Sequence, residues 1–103
     1  MTEAEINQDA PQERNLVEKV NDAEKVYRTY KFQLALEKSI LALEVDWNKV
    51  NLNRINQGLP KITNQEQRNH YFKVHFAKED EELLKLELAY RSLEREFERE
   101  LKE

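Results

Sequence analysis

The sequence predicts an all-α protein built from two long helices joined by one corner. Turn-forming residues are scarce, because the 103 residues include one glycine and two prolines, far below the average usage of about 7% and 5%. Charged residues make up 37% of the chain and hydrophobic residues 39%, a composition typical of coiled coils and long helices. A chain with so few turns must form few elements, and those elements must be long.

The first twelve residues lack helical periodicity and carry only acidic charges. Because Pro11 interrupts them as well, we predict a flexible acidic tail over residues 1–12 and one helical domain over residues 13–103. The N-terminus has neither the basic nor the apolar region of a signal peptide. The chain has no cysteine, which suits a reducing compartment. We therefore expect a cytoplasmic protein with no membrane association.

The first helix, predicted over residues 13–57, is apolar on two sides. Steps of three, four or seven residues place one stripe on a single face: Leu16, Val20, Ala23, Tyr27, Tyr30, Leu34, Leu41, Val45 and Leu52. A second stripe lies on nearly the opposite side: Phe32, Leu36, Ile40, Leu43, Trp47 and Val50. A helix with two apolar sides must be covered on both. The second stripe is therefore the predicted interaction surface.

Two architectures could cover this helix. The first is a long antiparallel hairpin, with its corner at residues 57–63, that dimerises into a four-helix bundle. The alternative is a monomeric three-helix bundle in which the first helix breaks near residue 30. Asn21 and Glu24 have the spacing of a capping box and could cap a late helix start. We favour the continuous helix and the dimer, because no glycine or proline lies between Gln12 and Gln57.

Chain-breaking residues are concentrated in the turn, residues 58–63. Gly58 fits the position just after a helix, where a left-handed backbone is needed. Pro60 prevents continuation of the helix. Thr63 and Glu66 have capping-box spacing and are predicted to start the next helix.

The second helix is predicted over residues 64–102. Its apolar stripe recurs in steps that are mostly three or four residues: Phe72, Phe76, Leu83, Leu86, Tyr90, Leu93, Phe97 and Leu101. The acidic run at residues 79–82 could break the helix near Lys78. The stripe keeps its phase across that run, so we favour an unbroken helix. Glu79 interrupts the stripe, either as a residue that sets the register or as a buried functional carboxylate.

No motif for catalysis, cofactor binding or metal binding is present. His70 and His75 are five residues apart and cannot share a metal on one helical face. The single glycine excludes a glycine-rich phosphate loop. The protein is therefore expected to be non-enzymatic, without cofactor or metal, and to act as an interaction, scaffold or adaptor protein with an unknown protein partner.

Nucleic-acid binding is the alternative function. Residues 14–78 carry twelve basic and seven acidic side chains, whereas both ends of the chain are acidic. The candidate contacts, for an accessory factor in recombination or regulation, are Lys31, Lys38, Lys49, Arg68 and Lys73. The acidic ends also allow a third hypothesis, an inhibitor that mimics DNA. Arg68 and Tyr71 follow the corner with no evident structural role, and are further candidates for function.

One segment resembles a family. The sequence "ITNQEQRNHYF", followed by the leucine-rich "EELLKLELAYRSLEREFEREL", is similar to small helical proteins encoded by phages and prophages of Gram-positive bacteria. The shared pattern is T-N-x-x-x-R-x-x-Y, here Thr63, Asn64, Arg68 and Tyr71. The resemblance covers about 40 residues. It implies a small accessory protein near DNA recombination or early phage functions, and it carries over no catalytic residue.

Overall fold

The computed structural model describes residues 12–102, with side chains from residue 15 onward. The predicted acidic tail therefore lies outside the described residues, apart from Gln12. Residues 12–102 form four α-helices and no strand: α1 (Gln12–Glu44), α2 (Trp47–Asn56), α3 (Gln65–His75) and α4 (Ala77–Lys102). The all-α prediction is confirmed for this part of the chain. None of these helices combines the length and apolar character needed to cross a bilayer.

The long helix α1 continues through residue 30, so the alternative break at that position is wrong. A break occurs instead at Val45 and Asp46, and the single helix predicted over residues 13–57 is wrong in this respect. Asp46 adopts an extended backbone and caps α2. Its carboxylate accepts hydrogen bonds from the backbone N–H groups of Asn48 at 3.0 Å and Lys49 at 3.3 Å. The cap satisfies two N–H groups that a helix start otherwise leaves unpaired.

The cap leads to a first prediction. Replacing Asp46 with alanine should lower the free energy of unfolding by about 1 kcal/mol, the usual cost of losing an N-cap. Urea unfolding followed by circular dichroism measures the change. Asp22→Ala, at an exposed position inside α1, is the matched control and should change stability by less than about 0.5 kcal/mol. Equal losses in the two variants would contradict the capping role.

The break at residues 45 and 46 changes which of the two apolar stripes faces inward. Before it, the first stripe faces inward: Leu16, Tyr27 and Leu34 are buried, and Leu41 is half-buried. After it, Leu52 of that stripe is 61% exposed. The second stripe turns inward instead, and its members Trp47 and Val50 are half-buried.

The α2–α3 corner follows the sequence prediction closely at its start. Gly58 has a φ of 76°, the left-handed conformation that glycine adopts without a Cβ clash. The Leu59 N–H donates to the Arg54 carbonyl at 2.8 Å, and the Gly58 N–H to the Ile55 carbonyl at 3.0 Å. These two bonds form a complete Schellman motif. The predicted role of Gly58 is thus confirmed.

The start of α3 lies one residue later than predicted. Asn64, not Thr63, is the N-cap, and Gln67, not Glu66, completes the capping box. The Gln67 N–H donates to the Asn64 side chain at 2.8 Å. The Gln67 side-chain oxygen accepts from the Thr63 N–H at 2.6 Å and from the Thr63 hydroxyl at 3.2 Å. The box at Asn64 and Gln67 is favoured because the Gln67 side-chain oxygen accepts hydrogen bonds from several donors at once.

The predicted second helix has one interruption, at Phe76, where α3 ends and α4 begins. The i to i−4 hydrogen bonds continue through it, from the Phe76 N–H to Phe72 and from the Asp80 N–H to Phe76. Phe76 has a φ of −100° and a ψ of 15°, so the single helix predicted over residues 64–102 is wrong in this respect. The interruption precedes the acidic run. Phe76 itself is buried.

Contacts in the chain gather into two compact units. In the described part, one comprises residues 12–31 and 82–102, and the other residues 32–81. In the first, α1 packs on α4 through Tyr27 and Tyr90, whose rings stack with centroids 5.9 Å apart. In the second, Leu34, Ile62 and Phe76 are buried. The single domain predicted for residues 13–103 stays a prediction.

Candidate functional site

An exposed apolar surface of the second unit lies on α1. It is formed by Phe32, Leu36, Ile40 and Leu43, which are 70%, 50%, 44% and 87% exposed, and we call it the α1 apolar face. Steps of four, four and three residues keep the four side chains on one side of the helix. A contiguous apolar patch of this kind commonly marks an interaction site.

Half of the α1 circumference along this segment is uncharged. At about 100° per residue, the small residues Ala35, Ser39 and Ala42 follow the α1 apolar face on one flank. Glu37 lies beyond the other flank. The opposite side of the helix is inward, where Leu34 is buried. The face is therefore bordered by small uncharged side chains on one flank, whereas Glu37 and Glu44 lie beyond the other.

Trp47 and Val50, the last two members of the predicted interaction stripe, are not part of this face. The Trp47 ring meets Tyr71 and Phe72 edge to face, with centroids 5.3 and 5.6 Å apart. The Arg68 guanidinium lies over the same indole, 5.2 Å from its centroid. Trp47 is thus a packing residue between α2 and α3, because the break before it reverses the inward side.

Arg68 and Tyr71 consequently have a structural role that the sequence did not indicate. Tyr71 packs against Trp47 and stacks on His75 at 6.2 Å. The Arg68 Nε atom is buried and has no hydrogen-bond partner among the described residues, because the guanidinium lies on the ring. Cation–π contact offsets part of the cost of this burial.

The five basic residues predicted to contact nucleic acid occupy dissimilar environments. Lys38 forms an ion pair with Asp80 at 2.6 Å and lies over the Phe76 ring. Lys31 lies over the Tyr27 ring, and Arg68 covers Trp47. Lys49 and Lys73 are exposed. Contact with nucleic acid stays a prediction, as does mimicry of DNA by the acidic ends.

A cleft of about 310 Å³ lies at the α2–α3 corner, and we call it the corner cleft. Two α2 side chains that sequence reasoning missed hold its wall. The Arg54 Nε–H donates to the Pro60 carbonyl at 2.8 Å. The Asn51 side chain accepts from the Ile62 N–H at 2.7 Å and donates to the Ile62 carbonyl at 3.0 Å. In the sequence, Asn51 follows Trp47 by four residues and Arg54 follows it by seven, so all three lie on one side of the helix. This spacing could have indicated the role of Asn51 and Arg54.

The first unit contains a polar cluster around Tyr90, a buried residue of α4. The Tyr90 hydroxyl donates to Glu94 at 2.8 Å and lies 3.3 Å from a Glu24 oxygen. Glu24 is paired with Arg28 at 2.8 Å, and Glu94 with Arg91 at 3.1 Å. The cluster joins α1 to α4, and its arrangement is structural.

The hydrogen bond from Tyr90 lowers the pKa of Glu94 below its ordinary value of 4.5, and Arg91 lowers it further. The folded state therefore favours the ionised carboxylate. The resulting stabilisation is present above pH 4.5 and is lost as the pH falls through the lowered pKa. The same bond raises the pKa of Tyr90 above 10.0, so the tyrosine contributes stability that is lost only as the pH rises through that raised value.

We expect Tyr90→Phe to lose less stability on acidification than the natural chain, because its Glu94 no longer prefers ionisation as strongly. Urea unfolding between neutral pH and about pH 3 measures this difference. Tyr27→Phe is the matched control, since it keeps the stacked ring and the Tyr27 hydroxyl forms no hydrogen bond with residues 12–102. A pH profile flattened equally by both variants would contradict the assignment.

In the described part of the chain, no three His, Asp or Glu side chains lie close enough together to hold a metal ion. Glu79 is half-buried, and one carboxylate oxygen is buried without a hydrogen-bond partner. Both alternatives for Glu79, a residue that sets the register and a functional carboxylate, stay predictions.

Comparisons with known proteins found no matching family, no matching curated protein and no matching solved structure. The resemblance of residues 62–72 and 81–101 to phage-encoded helical proteins therefore stays a prediction.

Proposed function

We propose that the protein is a non-enzymatic helical interaction protein that pairs with a second copy of itself through the α1 apolar face. The observation that carries this proposal is the exposure of Phe32, Leu36, Ile40 and Leu43 on one uncharged side of α1. Its mechanism is recognition by shape and apolar burial, with no chemical step.

The pairs of residues in contact within the second unit support the hairpin on which this proposal depends. Lys38 meets Asp80, Trp47 meets Tyr71 and Phe72, and Asn51 meets Ile62. Partners approach each other in sequence toward the corner, which is the order of an antiparallel helical pair. Two such hairpins joined at α1 would form a four-helix bundle.

The size of the face is compatible with a second copy. Its side chains present an apolar patch on the order of 500 Å², toward the upper end of what monomers expose. Two such patches facing each other bury about 1,000 Å², the lower limit for a specific interface. A second copy also meets no charge repulsion on this uncharged half of the helix, whereas the whole chain carries a net charge of −4.

Sedimentation equilibrium tests the proposal. The natural chain should dimerise at micromolar to tens of micromolar concentration, as expected for an interface of this size. Leu43→Glu should weaken the dimer by at least about tenfold, because each interface contains the substitution twice. Leu88→Glu is the matched control: Leu88 is 60% exposed on α4, and its variant should dimerise like the natural chain.

Two results would contradict the proposal. The first is a natural chain that stays monomeric at several hundred micromolar. The second is a dimer that Leu88→Glu disrupts and Leu43→Glu does not, since that would place the interface on α4.

A further inference from the structure

The corner cleft carries an inference independent of self-association. We propose that it binds a small organic anion, a single carboxylate on an apolar or aromatic body. The cleft lies between the C-terminal half of α2, the loop after it and the first two turns of α3. Its volume of about 310 Å³ is at the small end of ligand sites. It suits one ring and one charged group rather than a nucleotide or a long peptide.

The wall of the cleft is held in place before any ligand arrives. Arg54 is tied to the Pro60 carbonyl, and Asn51 is bonded to both backbone groups of Ile62. Ile62 is also buried. Side chains held by such contacts lose little conformational entropy on binding, so a small ligand need not order the site.

The positive charges of the cleft are Arg54 and Lys61. Within residues 12–102, neither forms an ion pair with a carboxylate. Arginine has five N–H donors, and the bond to Pro60 uses the one on Nε. The remaining donors have the planar geometry that binds a carboxylate through two oxygens.

An apolar surface adjoins these cations. Pro60, Ile62 and Tyr71 line the same cleft, and Tyr71 is fixed by its contact with Trp47. A ring carried by the ligand could pack on this surface while its carboxylate binds Arg54. The combination favours an aromatic carboxylate over acetate, which has no ring, and over a neutral aromatic compound, which has no charge.

Glu66 sets the limit on ligand charge. It lines the cleft together with His70, and its carboxylate repels an anion. A single negative charge can be balanced by two cations opposite one carboxylate, whereas a dianion is disfavoured. Glu66 therefore gives the proposal a variant that should strengthen binding.

Titration of the ¹⁵N-labelled chain with benzoate, followed by amide chemical shifts, tests the proposal. Saturable shifts of the amides of residues 54, 61, 62 and 66–71 are expected at millimolar benzoate, with much weaker binding of acetate and benzyl alcohol. Lys61→Gln, which removes a charge but no hydrogen bond to any other described residue, should weaken benzoate binding by about threefold, and Arg54→Gln by about tenfold. Glu66→Gln should strengthen it by about twofold to threefold.

Lys49→Gln is the matched control, because Lys49 is an exposed lysine of α2 that does not line the cleft, and its variant should bind benzoate unchanged. The proposal is overturned if no saturable shifts occur at the corner. It is also overturned if Lys61→Gln and Glu66→Gln change the affinity in the same direction. Neither result bears on the dimer, which sedimentation measures separately.

Discussion

Replacing Trp47 with alanine should lower the free energy of unfolding by about 2 to 3 kcal/mol, the largest effect expected of any single truncation in α2. The indole contacts Tyr71, Phe72 and Arg68 at once, so its removal leaves a cavity between α2 and α3. The loss is smaller than for a fully buried aromatic residue, because Trp47 is half-buried. Urea unfolding followed by far-ultraviolet circular dichroism measures it at one protein concentration.

Leu52→Ala provides the matched control for Trp47. Leu52 lies on the same helix and belongs to the stripe that is buried before the break, but it is exposed. Its truncation should cost less than about 0.5 kcal/mol. A larger loss from Leu52→Ala than from Trp47→Ala would mean that the first stripe stays inward throughout, and the exchange of apolar sides at residues 45–46 would be wrong.

Replacing Asn51 with alanine should cost about 2 kcal/mol, because it removes two hydrogen bonds and leaves the N–H and C=O groups of the buried Ile62 without partners. Hydrogen exchange of the Ile62 amide gives a local measurement, and its protection should fall with the variant. Asn53→Ala, at an exposed position of α2, should leave both stability and that amide unchanged. If Ile62 stays protected in Asn51→Ala, the side chain does not hold the loop.

Several features of the fold could be predicted from composition and spacing. The scarcity of glycine and proline indicates helices, and the position of Gly58 before Leu59 and Pro60 locates the end of α2. Local chemistry of this kind depends on backbone conformations that few residues adopt. The buried residues of α1 up to Val45 also follow from periodicity. In an unbroken helix, the residues of the first turns determine which later residues lie on the same face.

Helix starts could not be predicted where two neighbouring residues were equally good candidates for the N-cap, or where a cap residue looked like an ordinary surface residue. The run "TNQEQ" contains two overlapping capping boxes, and only the three-dimensional arrangement favours Asn64 with Gln67. Asp46 is a good N-cap type, but it lacks a glutamate or glutamine three residues later, and an aspartate inside an exposed helix looks the same in sequence. The packing of Arg68 on Trp47 depends on that unrecognised break.

The break at Val45 and Asp46 also separates two kinds of constraint along one stripe. Trp47 and Val50, the members of the second stripe after the break, pack within the chain. Phe32, Leu36, Ile40 and Leu43 face outward and can be exchanged without disturbing that packing. Binding specificity could therefore diverge quickly between related chains while the scaffold stays the same. For protein engineering, this short segment of α1 is therefore a position where a new binding surface can be introduced. Because α2 starts at its own cap, such substitutions leave the packing of α2 unchanged.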